Sequence, residues 1–177
     1  LVLIDEAYFG FGATSAVSLI NQYDNLLITR SFSKSHALAG LRVGYGLANA
    51  NLVEGLSRVK DSFNSYPVDA YAQCVATAAI SDSVWFAESS ATIKENRTEL
   101  TAGLTQLGFY VLTSQANFVL ASHPEHTGVA VTEYLKTQNI LVRSWSSYDL
   151  LPWVRITVGT KDQQACLLSA LSEYLKG

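Results

Sequence analysis

The sequence predicts an α/β architecture in two parts, an incomplete and mostly parallel sheet followed by a smaller α+β layer. Three observations carry that reading. Residues 1–4 and 26–29 are short continuous apolar runs, the kind found in parallel strands covered on both faces, and the segment between them is long enough for a crossover. From residue 109 onward, strand-like and helix-like stretches interleave, which indicates an α/β or α+β layer. Ser81-Asp82-Ser83 interrupts the pattern between the two. The boundary is therefore expected near residue 82, with a large-domain part at 1–82 and a small domain at 83–177.

The elements follow in order. Residues 33–46 are rich in small side chains, and 41–47 read as a strand. Residues 49–60 and 67–80 read as helices, the second with Pro67 near its first turn and an alanine-rich body. A long helix is expected over 84–107, with Leu100, Leu104 and Leu107 on one face and Gly108 as its stop. Strands at 109–112 and 117–121, a helix at 128–138, strands at 140–142 and 154–158 and a closing helix at 161–175 complete the pattern.

Composition excludes several functions. Twelve Lys and Arg stand against 15 Asp and Glu, a net charge of -3, so no basic stripe exists to meet nucleic acid or an anionic membrane. No apolar run approaches the roughly 18 residues of a membrane span, and no secretory leader pattern is present. Cys74 and Cys166 form no CxxC pair and read as buried packing residues in a reducing, cytoplasmic compartment. Charged residues make up only 15%, against about 25% in an average domain, so more surface is expected to be hidden than a small monomer can hide. The first residues are apolar and lack Met, where termini are normally polar and frayed; the chain reads as a piece of something larger.

The densest chemistry lies in Ser31-Phe32-Ser33-Lys34-Ser35-His36-Ala37-Leu38-Ala39-Gly40-Leu41-Arg42. One lysine sits among hydroxyls just past a buried-type strand, with an arginine following. Ligands of open α/β sheets bind beyond the carboxyl ends of strands, and both Asp5 and Lys34 fall there. A polar loop with a solvated lysine is the plain alternative. A nucleotide-phosphate loop fails for want of GxxxxGK[ST] or GxGxxG. Ser31-x-x-Lys34 matches the S-x-x-K spacing of serine acyl-enzymes, but its companion SDN and KTG elements are absent.

A third reading rests on resemblance. Ser31-Phe32-Ser33-Lys34 and Leu38-Ala39-Gly40-Leu41-Arg42-x-Gly44-Tyr45 resemble the cofactor-lysine signature of fold-type I pyridoxal-phosphate-dependent aminotransferases, most of all the histidinol-phosphate group. Asp5-Glu6-Ala7-Tyr8 upstream and Val154-Arg155-Ile156-Thr157-Val158-Gly159-Thr160 downstream fit the same family in the same order. The resemblance implies pyridoxal 5'-phosphate as cofactor and Lys34 as the catalytic amine that condenses with its aldehyde and shuttles the proton. It implies Asp5 as partner of the pyridine nitrogen, Tyr8 as donor to the phenolic oxygen, and Ser31, Ser33 and Arg42 as phosphate ligands. Arg155 is expected to grip the substrate's acidic end, or else to form a buried salt bridge; Arg143 faces the pocket or serves the surface, and Asn117 lies near the site. The implied substrates are a small-molecule amino donor and a 2-oxo acid, here L-histidinol phosphate and 2-oxoglutarate. Imidazole acetol phosphate and glutamate would be the products, in histidine biosynthesis by a homodimer.

Alternatives within that chemistry are an aromatic or broad-specificity aminotransferase and a threonine-phosphate-type decarboxylase. Outside it stands a non-catalytic, truncated module. The resemblance covers only the carboxyl-terminal half of the family's fold, so these 177 residues alone are expected to bind cofactor weakly and not to turn over. Glu6 reads as structural, and His36 stands where an apolar or aromatic residue is expected. His123-Pro124-Glu125-His126 has metal-like spacing but no third ligand nearby in this reading, so no metal is expected.

Overall fold

Two apolar strands set the first layer. In a computed structural model describing residues 1–177, β1 (Val2–Asp5) and β2 (Leu26–Ser31) run parallel, with Val2 opposite Leu26 and Asp5 opposite Thr29. Leu26, Leu27 and Ile28 are buried there. A single helical turn, α1 (Phe32–Ser35), and a short 3-10 turn at Ala39–Leu41 then reverse the chain. As a result β3 (Gly44–Ala48) returns antiparallel along β2 and starts later than residue 41. The chain reverses because one turn of helix does not carry it across a sheet face as a parallel crossover requires. β1 is an edge strand, and Leu1, Val2 and Leu3 are exposed.

Helix caps place the next elements. α2 (Ala50–Phe63) starts after Asn49, whose side chain accepts from the Leu52 amide, and it leaves Val53, Leu56, Val59 and Phe63 exposed. α3 (Ala70–Ser81) begins after Asp69 rather than at Pro67. The Asp69 carboxylate accepts from the Ala72 amide at 2.8 Å and satisfies a first-turn donor that Pro67 cannot cap. α4 (Ser83–Gln106) stops at Gly108, which takes φ +86°, while Phe109 N–H donates to the Leu104 carbonyl at 3.1 Å.

The chain divides into two compact units, Leu1–Ser90 and Ala91–Gly177, and the division falls within α4. The start of α4 belongs with the first unit because Phe86 stacks on Phe9 (5.7 Å between centroids) and on His36 (5.2 Å).

The second unit is built on an antiparallel sheet. β4 (Tyr110–Val111), β5 (Phe118–Ser122), β6 (Arg143–Ser144) and β7 (Trp153–Thr157) lie in the order β4-β5-β7-β6. Its helices are α5 (Gly128–Thr137) and α6 (Lys161–Tyr174), the latter opened by a Thr160–Gln163 capping box. Alternation along the strands sends Val119, Ala121, Val154 and Ile156 into a core with Leu100, Leu104, Leu135 and Leu171. β6 begins at Arg143, not at residue 140, because Asn139 adopts φ 59° and Ile140 N–H closes α5 on the Leu135 carbonyl at 2.9 Å.

Two side-chain expectations change. Cys74 and Cys166 are exposed rather than buried. Each lies off its helix's buried stripe, marked by Ala72 and Ala76 on α3 and by Leu167 and Leu171 on α6. No helix is long and apolar enough to cross a membrane. At the start of α5, a Cβ on Gly128 would collide with the Trp153 carbonyl oxygen, a backbone atom that cannot swing aside. Gly128→Ala is therefore expected to destabilise the second unit by about 1–3 kcal/mol, read from the urea midpoint at unchanged slope.

Candidate active site

The first unit gathers its candidates at one sheet edge. β1 and β2 are parallel, so Asp5 at the end of β1 and Ser31 at the end of β2 emerge on the same side. Asp5 Oδ1 accepts from the Ala7 amide at 2.9 Å, and Oδ2 has no hydrogen-bond partner. Asp5 and Tyr8 line one cavity of about 370 Å³ with Glu6 and Ser15. Ser31 caps α1, its Oγ accepting from the Ser33 amide at 3.1 Å, which leaves its own hydroxyl proton free to donate. Lys34 stands exposed on that helix with no ion pair and no side-chain hydrogen bond.

Arg42 follows in the left-handed region at φ 57°, where its Nη1 donates to the Ala39 carbonyl at 2.8 Å. Its Nε and Nη2 remain available. The left-handed backbone costs a residue with a Cβ about 1–2 kcal/mol, so the surrounding turn holds the Arg42 backbone against local preference.

One element escaped the sequence reading. Arg30 forms a buried ion pair with Glu6 at 3.0 Å, the two side chains 11% and 10% exposed. Glu6 also accepts from the Ser15 hydroxyl and the Ala16 amide, and the Arg30 guanidinium lies 3.5 Å over the Phe9 ring. This bolt fixes the loop that carries Asp5 and Tyr8. The available signal was a charge inside a buried strand, the same one that singled out Arg155. His36 is buried between Phe32 and Phe86 and hydrogen-bonded to Ser35 Oγ through Nδ1, so it packs as an aromatic residue.

These environments set a pH response. Burial alone would raise the Glu6 pKa, but hydrogen bonds from Ala16, Ser15 and Arg30 and the charge of Arg30 outweigh it and hold the carboxyl below its usual 4.5. Burial holds the His36 imidazole below its usual 6.5. Both folded values are depressed. Their contributions to stability are therefore complete above the unfolded values and are lost as pH falls through the folded ones. The first unit is expected to lose stability in two stages, below 6.5 and again below 4.5; urea midpoints taken in each interval check it.

The second unit pairs the two predicted arginines. Arg143 and Arg155 are register partners on β6 and β7, so they share the sheet face turned away from the buried strand residues. Neither forms an ion pair. The Arg155 guanidinium lies 5.2 Å from the Phe118 ring centre and that of Arg143 lies 5.6 Å from Trp145. The structure thus has no salt bridge at Arg155, and it sets two like charges directly opposite each other, an arrangement that favours an anion between them. Asn117 immediately precedes β5, its carbonyl accepting from the Val158 amide at 2.9 Å. A cavity of about 470 Å³ in this unit holds none of the predicted residues and is lined by groups such as Ile140, Leu141 and Ile156 with no cationic side chain.

At His123 and His126 the structure supplies a third ligand atom. The turn folds Glu125 back so that one donor atom from each of the three lies within 4.8 Å of the others. The expectation of no third ligand nearby is corrected on that ground: the middle residues of a tight turn stand over its ends.

The sequence matches the family aminotransferase class I and II over residues 1–171. The chain belongs to that family. Its relatives include a histidinol-phosphate aminotransferase of Acetobacter pasteurianus, 53% identical over 99% of this chain and 49% of that protein. The fold matches the histidinol-phosphate aminotransferase of Clostridium acetobutylicum at TM-score 0.89 and 26% identity, over 98% of this chain and 54% of that one. It also matches, at TM-score 0.85 and 23% identity, that of Sinorhizobium meliloti, solved in complex with pyridoxal-5'-phosphate, over 99% of this chain and 49% of that one. This aminotransferase-family chain spans about half the length of the curated relatives it matches.

Proposed function

We propose that this chain carries the catalytic-lysine half of a pyridoxal-phosphate-dependent aminotransferase that transfers the amino group of L-histidinol phosphate to 2-oxoglutarate. One observation carries the reading. The Lys34 amine has no partner at the sheet edge where Asp5 presents a free carboxylate oxygen and Arg42 two unengaged donors. That donor set fits the cofactor, with an amine for its aldehyde, an anion for its ring nitrogen, and a guanidinium and hydroxyls for its phosphate. Sequence identity to histidinol-phosphate aminotransferases supports the substrate assignment.

Bound there, the cofactor supplies an electron sink for the substrate's α-carbon. Asp5 Oδ2 holds the proton on the ring nitrogen, because a carboxylate beside a protonated base favours the charged form. Tyr8 donates its phenol proton toward the cofactor's ring oxygen. Ser31 and Ser33 donate hydroxyl protons to phosphate oxygens, and Arg42 offers Nε and Nη2 to the same group. Lys34 Nζ would take the substrate's α-proton as general base and give it up again as general acid. Arg155 and Arg143 hold the anionic ends of the two substrates, with Asn117 beside them.

The cofactor-binding part expected at 1–82 then corresponds to the unit Leu1–Ser90, and the small domain expected at 83–177 to Ala91–Gly177. The uncovered apolar face of α2 supports further association, in keeping with a homodimer. The unpaired, separated cysteines suit a cytoplasmic setting.

The test is incubation of the complete protein with L-histidinol phosphate and 2-oxoglutarate, with glutamate as the expected product. Carbon dioxide release without glutamate would transfer the assignment to a decarboxylase. Absence of both turnover and a visible cofactor band would leave a non-catalytic module. Arg155→Ala is expected to lower kcat/KM about 10- to 100-fold, through KM for both anionic substrates, as loss of one charged hydrogen bond predicts.

A further inference from the structure

A cluster of side chains able to ligate a metal lies in the second unit, at the turn between β5 and α5. His123 and His126 close that turn as an isolated antiparallel bridge, with His126 N–H 3.4 Å from the His123 carbonyl oxygen. Their rings stand 5.0 Å apart between centroids. The Nε2 atom of His123 faces Gly108, so close that a Cβ there would meet it at 3.1 Å. Nδ1 is therefore the nitrogen turned toward the turn, where it accepts from the Glu125 amide at a long 3.3 Å. Glu125 is exposed and has no ion-pair partner.

We propose that His123, Glu125 and His126 form a binding site for a divalent transition-metal ion of the zinc class, independent of the amino-transfer chemistry. Two imidazoles and one carboxylate make a borderline donor set that suits zinc, cobalt, nickel or copper, whereas calcium and magnesium require oxygen ligands. Ligand atoms about 2.0 Å from one ion stand roughly 3.3 Å apart in a tetrahedron. Separations within the present 4.8 Å limit close by small side-chain rotations of the three residues, and an ion bound through His123 Nδ1 displaces the weak amide contact there. A water molecule completes the fourth position.

The surroundings pre-orient the rings. His123 packs edge-on against Phe109 at 5.1 Å, and His126 lies 4.7 Å from Tyr174 on α6, which itself packs on Tyr134 of α5. Less side-chain freedom is lost on binding than for histidines on an open surface. An ion held here joins the β5–α5 turn, which contacts α6 through Tyr174, and stabilises the second unit by binding only its folded form.

The test uses the complete protein, free of any affinity tag, in a Cys74→Ser/Cys166→Ser background, because exposed thiols are the competing soft ligands. Zinc binding is followed by calorimetry and cobalt binding by visible absorption. The expected result is a site absent from the Glu125→Gln/His126→Gln variant: zinc affinity at least about tenfold weaker, the cobalt ligand-field band lost, and the metal-induced rise in Tm abolished. The metal-free Tm of the variant, measured alongside, shows that the fold survives. Equal zinc affinity in parent and variant, or no cobalt band in the parent, would overturn the site. Amino transfer by the metal-free protein is expected to continue in either case, so failure here is separable from failure of the assigned reaction.

Discussion

Lys34→Ala in the complete protein is expected to lower kcat by about 10,000-fold or more, because one amine serves as both nucleophile and proton carrier. The same change is expected to leave stability within about 0.5 kcal/mol of the parent. Lys34 is exposed on a four-residue helix and engages no other side chain, so nothing in the fold depends on it. Lys34→Arg retains the charge but does not restore turnover, since a guanidinium stays protonated at any working pH. Kinetics, the visible cofactor band and a urea midpoint on the same preparations check the prediction. Transamination persisting in Lys34→Ala would remove the lysine from its assigned role.

Glu6→Gln and Arg30→Met are each expected to cost about 3–5 kcal/mol, because each leaves a buried charge without its partner. The pair lies 3.0 Å apart with about nine-tenths of each side chain buried, and Glu6 holds Ser15 and Ala16 as well. Joining the two changes removes both charges together, so the double variant should be markedly more stable than the sum of the single costs implies. Denaturant titrations of the four proteins measure that coupling. Additive costs would mean that the ion pair does not hold the loop after β1. The consequence extends to chemistry, because Asp5 and Tyr8 flank Glu6 in the chain and share one cavity with it.

Local signals were legible where a few neighbouring residues decide the outcome. Two apolar runs became β1 and β2 with the expected parallel pairing, and Gly108 ended α4 where its freedom at positive φ allowed a tight exit. The family itself was readable from the motifs around Asp5, Lys34, Arg42 and Arg155 in order, and the family match over residues 1–171 agrees. Reading failed where the deciding partner was distant or where the register was undetermined. Pro67 resembles a helix start until the Asp69 cap is seen to make its bond, and Cys74 and Cys166 look apolar until their helices are rotated against the sheet.

By itself, the sequence determined most of the strands and helices and the family to which the chain belongs. These depend on side-chain periodicity, caps and motif spacing, all of which act over a few residues. Only the tertiary structure decided that β3 runs antiparallel, that Glu6 bonds Arg30, that Arg143 stands opposite Arg155, and that a Glu125 oxygen lies within 4.8 Å of two histidine nitrogens. Each of these is set by strand register or by how a turn folds back. A shift of one residue in register moves every side chain of a strand to the other face, and no local pattern encodes which partner will be met there.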